Sequence, residues 1–452
     1  TSNIALTLAS ATGGSDAFSG NVARRRTKIY DQDQTAAIFA WPRDYVKTHT
    51  PDDITVKKQK IISASSGQVT VTTDANESFL QVSRDNFQLS VYDLNGTSSG
   101  GANTLGLELD PVTTAGSKTT PTADTEQIQF ATSAADGVDY IVSYAVTLNA
   151  PTRRQKNIKR SRCALVSAAS GSGIEYGTAY NHKDITLGVS DCFAVRGVYE
   201  GIGGATPLPP SAVLGSPSGT FVNEEIIVGQ TSGARARIIK YANGGTTFFY
   251  YTNNFVFTDT ESVVGQTSNA SGTIGTLTTG SDNITDRYFF DNGQRDGFYD
   301  FGKITLKPGQ PAPNNSILIV FDYFTSAGGE FYDVESYSNI DYGEIPVYSP
   351  NKVDLGGLEP DGQFELSDAL DFRPSVGQLF TGNISSDSPN PETPFNISTG
   401  LGNKDPFDYS ERNFNGTGAA ATDTPVPTIS STGDISFFTS RIDKIFLLSD
   451  GR

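Results

Sequence analysis

The chain has 452 residues, 36% hydrophobic and 18% charged with 46 glycines, a globular composition that excludes wholesale disorder. At roughly 150 residues per domain, the length also excludes a single small module and fits about three domains or one multi-part body. Thirty-three Lys and Arg against 50 Asp and Glu leave a net charge of -17, which repels phosphate backbones and argues against a nucleic-acid partner.

No apolar run approaches the roughly 18 residues of a membrane helix, and the first residues show no basic-then-apolar signal pattern. A membrane span is therefore not expected. Two cysteines, Cys163 and Cys192, cannot supply a disulfide framework or a Cys-rich zinc site, although one bridge between them stays open. Two histidines, His49 and His182, leave little scope for a His-based triad or metal centre. Met is absent, which predicts that the chain is a slice of a longer polypeptide.

Alternation of apolar and polar residues, the period of a strand with one buried face, begins at Val69 and Val71. Phe87, Leu89 and Val91 repeat it before a turn at Asp93 to Gly96, and an exposed Ser/Gly-rich loop is expected over Thr97 to Asn103. Ile128 and Phe130 lead to the Asp136-Gly137 turn, and Tyr140, Val142, Tyr144, Val146 and Leu148 then share one face of a long strand. Helical periodicity is hard to find, because Gly, Pro, Asn, Ser and Thr interrupt nearly every window. Ile185, Leu187 and Val189 give a further strand, and the cluster Pro207, Pro209 and Pro210 marks a boundary.

Beyond that boundary Phe221-Val-Asn-Glu-Glu-Ile-Ile-Val-Gly-Gln-Thr-Ser-Gly-Ala-Arg-Ala-Arg-Ile238 recurs, 36 residues on, as Phe257-Thr-Asp-Thr-Glu-Ser-Val-Val-Gly-Gln-Thr-Ser-Asn-Ala-Ser-Gly-Thr-Ile274, with nine of eighteen positions identical. Each copy reads as a strand, a Gly-started turn and a returning strand whose small residues face inward. Asn243-Gly244-Gly245 turns the chain into an aromatic strand from Phe248 to Tyr251. Ile317 to Phe324 is the most apolar run, suited to a strand buried on both faces at the centre of its sheet. Gly382 to Thr432 is rich in polar and turn residues and is expected to form a long loop or arm that buries little.

The fold class expected is therefore all-β: multidomain β-sandwich or barrel-like modules with a small inserted repeat module and extended loops. The segments are an N-terminal sandwich-like domain (1–150), a basic linker with continuing strands (151–205), the repeat module (206–282), a β core region (283–380) and a polar arm leading into a further β region (381–452).

Several side-chain groups invite a chemical reading. Asp291, Asn292, Asp296 and Asp300 have oxygen ligands suited to a hard cation, but their spacing is not that of an EF-hand, and turn-forming roles explain them as well. Asp368 with Asp371, and Glu330 with Asp333, are acidic pairs of the kind glycosidases use, yet fifty acidic residues supply such pairs by chance. The basic run Arg153, Arg154, Lys156, Lys159, Arg160 and Arg162, and the shorter Arg24, Arg25, Arg26 and Lys28, lack interleaved aromatics. They suit docking on an acidic neighbour, or a solvated loop, better than nucleic acid. Arg373 in Asp371-Phe-Arg-Pro-Ser375 suits a bidentate structural clamp. Tyr250, Tyr251 and Phe255 are candidates for stacking on sugar rings. No catalytic, cofactor-binding or metal-ligating residue is assigned.

Three segments together resemble a family of virion structural proteins from contractile-tailed, cyanophage-like marine phages, whose shared domain has no assigned activity. They are Asp291-Asn-Gly-Gln-Arg-Asp-Gly-Phe-Tyr-Asp300 with Lys307-Pro-Gly-Gln-Pro-Ala-Pro313, then Ile319-Val-Phe-Asp-Tyr-Phe324, and Asp371-Phe-Arg-Pro374. The resemblance covers residues 285 to 375 best and most of 1 to 380 loosely. The Gly-Gln-Thr-Ser-Gly-Ala repeat is similar to modules in phage tail and fibre proteins. Phe437-Phe-Thr-Ser-Arg-Ile-Asp-Lys444 looks like a motif preceding a further β region in that family. The resemblance implies a non-enzymatic part of the tail, at the baseplate or where fibres attach. Its partners would be other tail, baseplate or fibre subunits, in several copies per particle. A host-surface glycan adhesin or depolymerase is the alternative.

Overall fold

The computed structural model describes residues 2–3, 6–7, 37–41, 45–80, 86–93, 105–109, 127–131, 137–348, 364–377, 379, 389–400, 404–408, 412, 414, 424–426, 430–431 and 433–438. Strand accounts for 51% and helix for 6%, so the fold is all-β. The chain forms two compact units, and neither is one stretch of sequence. The first takes residues 1–155, 327–373 and 416–452, the second 156–326 and 374–415. Both units are assembled from strands that return from far along the chain.

In the first unit the strands Asp53–Ser63 and Asp139–Asn149 pair antiparallel over their whole length, from Asp53 opposite Asn149 to Ser63 opposite Asp139. Phe87–Asp93 pairs with the other edge of Asp139–Asn149. Tyr140, Val142, Tyr144, Val146 and Leu148 all point into one core with Val69, Val71, Leu89 and Val91, as their two-residue period requires. Late segments complete this core: Phe331, Leu370, Phe372 and Ile435 pack into it. The expected loop from Thr97 to Asn103 lies outside the described residues.

The second unit holds a sandwich and a barrel. In the five-stranded sheet the strand Ile317–Ala327 lies third, between Cys192–Glu200 and Gln155–Val166. A three-stranded sheet of Asp184–Ser190, Phe301–Leu306 and Tyr288–Asp291 supplies Ile185, Leu187 and Ile304 to the core it shares with Ile317, Ile319, Phe321 and Tyr323. The intervening residues, Leu318 and Val320, face the other way. There they meet Ile239, Phe248 and Tyr250 of the barrel, together with Cys163 and Tyr199. The unbroken apolar run from Ile317 is explained by this arrangement, since both faces of its strand are covered by protein.

Residues 211–278 close into a six-stranded barrel. In each repeat the strand before Gly-Gln-Thr-Ser pairs antiparallel with the strand after it, Ile226–Gly229 with Arg235–Lys240 and Ser262–Gly265 with Ser271–Thr278. Ala234, Ala236, Ile238, Ala270 and Ile274 point into the barrel core. Gly233 in one turn and Asn269 in the other both take a left-handed backbone, φ 69° and 56°, which is why these positions carry the two residue types that best tolerate it.

The described residues of the polar segment after Gly382 are more integrated than the composition predicts. Phe395–Asn396 adds a parallel strand beside Ala164 and Leu165, and Ile397 is fully buried. Thr424–Pro425 pairs with Asp53–Ser63 in the first unit. A few well-placed apolar residues anchor a segment that is polar on average.

Candidate functional site

The acidic cluster does not converge on a common point. Asp291 receives Arg295 through both carboxylate oxygens, at 3.0 and 2.9 Å, and a further bond from the Gly293 N–H. Burial would raise its carboxyl, but Arg295 and the Gly293 N–H hold it below the usual carboxylate range. Asn292 accepts from the Gln294 N–H and so shapes the turn. Asp300 is bound 2.9 Å from Arg412 and by the Phe301 N–H. Among the described residues, no group of three or more His, Cys, Asp or Glu side chains is placed to hold a metal ion.

The members of the two acidic pairs each serve a different partner. Asp371 is wholly buried and meets the Arg373 guanidinium in a fork, Nε to Oδ1 at 3.0 Å and an Nη to Oδ2 at 2.8 Å. Arg373 also lies over the Tyr348 ring at 4.7 Å. The clamp thus closes on a carboxylate only two residues away. Asp368 instead accepts the Val46 N–H. Asp333, also wholly buried, caps the short 3-10 helix Val334–Tyr337 and accepts Arg153 Nε at 2.6 Å, while His49 Nδ1 lies 3.4 Å away. Glu330 accepts the backbone N–H and hydroxyl of Thr152.

Four of the six residues of the basic run lie in the strand Gln155–Val166 and not in a loop, with Lys159 and Arg160 half-buried there. Lys156 is fully buried, 2.8 Å from Asp191 and 3.3 Å from the Tyr299 hydroxyl. Its ammonium sits 4.4 Å over the Tyr299 ring. Arg154 donates to the Gly329 carbonyl and covers the Tyr332 ring. Arg162 reaches Glu224 of the barrel at 3.7 Å. The shorter run from Arg24 to Lys28 lies outside the described residues.

The sugar-stacking candidates do not form a platform. Tyr250 is buried where the barrel meets the sheet, and Tyr251 packs on Phe249 and Phe257. Only Phe255 is open, 60% exposed beside the equally exposed Val256. The cysteines are unbridged and buried. Burial pushes the Cys163 thiol up to about 12 and raises that of Cys192 as well.

Two features were not visible as sites in the sequence. One is a reciprocal clasp between the repeats. Glu225 of the first copy accepts the Thr267 and Ser268 N–H groups and the Ser268 hydroxyl in the second copy's turn, and Glu261 accepts the corresponding Thr231, Ser232 and Ser232 hydroxyl groups in the first. Each glutamate also accepts an N–H three residues before it, from Val222 or Thr258. The other feature is an exposed aromatic corner in the first unit: Tyr45 is 68% exposed and Phe438 53%, joined by a bond from the Phe438 N–H to the Tyr45 carbonyl, with Phe437 adjoining. The repeated Glu at the same offset was a signal for the first. Comparison with protein-family models, curated proteins and solved structures finds no match for this chain.

Proposed function

We propose that the chain is a structural component of a bacteriophage tail, in the baseplate or fibre-attachment region, acting through protein-protein contacts in several copies per particle and without a catalytic centre. The observation that carries this reading is the location of the segments on which the family resemblance rests. Asp291, Asp300, Asp322 and Asp371 each serve an internal pair, with Arg295, Arg412, Arg196 and Arg373 respectively. Their chemistry is spent on holding strands and turns in register. Several large apolar side chains stay exposed among the described residues, Tyr342, Tyr45, Phe289 and Phe438 among them, residue types that interface cores favour.

The test is quantitative mass spectrometry of purified phage particles, with parallel assays of host polysaccharide binding and of reducing-end release. The tail reading expects a fixed copy number relative to other tail proteins and no release of reducing ends. Finding the chain only outside particles overturns it, and polysaccharide cleavage replaces it with the depolymerase reading. Phe255 keeps a glycan adhesin as the second reading, which binding without cleavage would favour.

A further inference from the structure

The loop of residues 171–182 is held by an arrangement that the tail reading does not use. His182 Nδ1 lies 3.0 Å from the Gly177 nitrogen and 3.3 Å from the Ala179 nitrogen. A backbone N–H can only donate, so this ring nitrogen accepts both bonds and carries no hydrogen. The neutral imidazole is the form the loop requires. The Tyr176 ring packs on His182 at 5.1 Å and on Phe407 at 5.6 Å. Gly177, at φ 88°, approaches Phe407 so closely that a Cβ there would collide with its ring. At a second point Ser398 Oγ accepts the Ser167 and Ala168 N–H groups and donates to the Thr178 carbonyl. The loop is thus fastened at two points, at Phe407 and at Ser398.

We infer that His182 is the catch of an acid-released latch: its unprotonated Nδ1 holds the loop in the form that packs on Phe407, and a proton on Nδ1 releases it. Protonation replaces an acceptor by a donor facing two donors, so both bonds are lost together. Charges of both signs surround the catch: Asp184 is an anion that favours the imidazolium, and Lys183 and Lys303 are cations that disfavour it. Asp184 is engaged by the Tyr176 and Thr305 hydroxyls at 2.7 and 2.6 Å. Burial would raise its carboxyl, but these bonds, with Lys303 and Lys183, hold it below the usual range, so it stays ionised while imidazole titrates. Lys303 lies over the Phe407 ring at 5.7 Å, and Lys183 follows His182 in the chain. Burial lowers the pKa of His182 from 6.5. A depressed folded-state value makes the closed loop fully stable above pH 6.5 and progressively less so as pH falls through the lowered value.

Hydrogen exchange of the full chain from pH 8 to 5, corrected for intrinsic rates, tests the latch. Protection of the Gly177 and Ala179 amides should fall by up to about tenfold per pH unit as pH drops from 6.5 toward the ring's lowered closed-state value, and level off below it, while barrel amides at 235–240 stay protected. His182→Gln supplies a side-chain oxygen that accepts at every pH, and it should abolish the pH dependence. Unchanged protection in the wild type across this range overturns the inference, as does an identical loss in His182→Gln. The outcome is independent of whether the chain is found in particles.

Discussion

Glu261 shows how a single carboxylate can organise a turn it does not belong to. Its four donors are three backbone N–H groups and a hydroxyl, and it is almost fully buried. Burial alone would raise its carboxyl, but the Ser232, Thr258 and Thr231 groups outweigh that and hold it below its usual value of 4.5. A depressed folded-state pKa gives stability that is present above pH 4.5 and lost as pH falls through the lower value. Glu261→Ala leaves those donors facing an empty site and should cost about 3 kcal/mol, read as a drop in the denaturation midpoint at pH 7. Glu261→Gln, which cannot ionise, should show a shallower loss between pH 5 and 3 than the wild type. Gly229 is tied to the same carboxylate, because a Cβ there would lie 2.6 Å from Glu261 Oε2. The thiols give a second check at this scale. Cys163 and Cys192 are buried with raised pKa values, so at pH 8 the native chain should give no fast reaction with a thiol reagent. Two equivalents should react after denaturation.

At the scale of elements, the barrel is the most self-sufficient part of the chain. Its strands close on themselves, and its ends are pinned by bonds between Leu208 and Ser281. Residues 206–282 expressed alone should therefore unfold cooperatively, as followed by circular dichroism, and Glu261→Ala should abolish that transition or lower its midpoint sharply. The isolated barrel uncovers Phe248, Tyr250 and Ile239, which the sheet covers in the full chain, so it should also bind an apolar dye that the full chain does not. This much was largely legible in the sequence, because the duplication marks both hairpins and alternation marks the inward side. The clasp itself was not, since the repeat marks the two glutamates but not the partners 43 and 29 residues away that each of them takes. The same limit applies to charge. The run from Arg153 to Arg162 reads as a surface feature because composition cannot show that Lys156 has Asp191 and two aromatic rings waiting for it. Arg373 was legible as a bidentate clamp, but its partner Asp371, two residues away, read only as one of an acidic pair with Asp368.

At the scale of the whole molecule, the order of segments matters more than their number. The first unit's core needs Phe331, Leu370 and Phe372 from one return of the chain and Ile435 from another, while the second draws Val376, Leu379 and Ile397 from the stretch between them. Each unit therefore depends on contacts far apart in sequence, which carry a loop-closure cost and slow folding. Trp41 is the only tryptophan and is buried in the first unit's core, so its fluorescence reports on that unit by itself. A chain ended at Ser326 lacks all four late core residues, and removing several large buried side chains at about 2–5 kcal/mol each exceeds the stability of an ordinary domain. Its tryptophan emission should match that of the fully denatured chain, while circular dichroism still records the melting of the barrel. A native-like blue-shifted emission from the shortened chain would mean that the strands before residue 156 hold Trp41 without the returning segments, contrary to the packing described here.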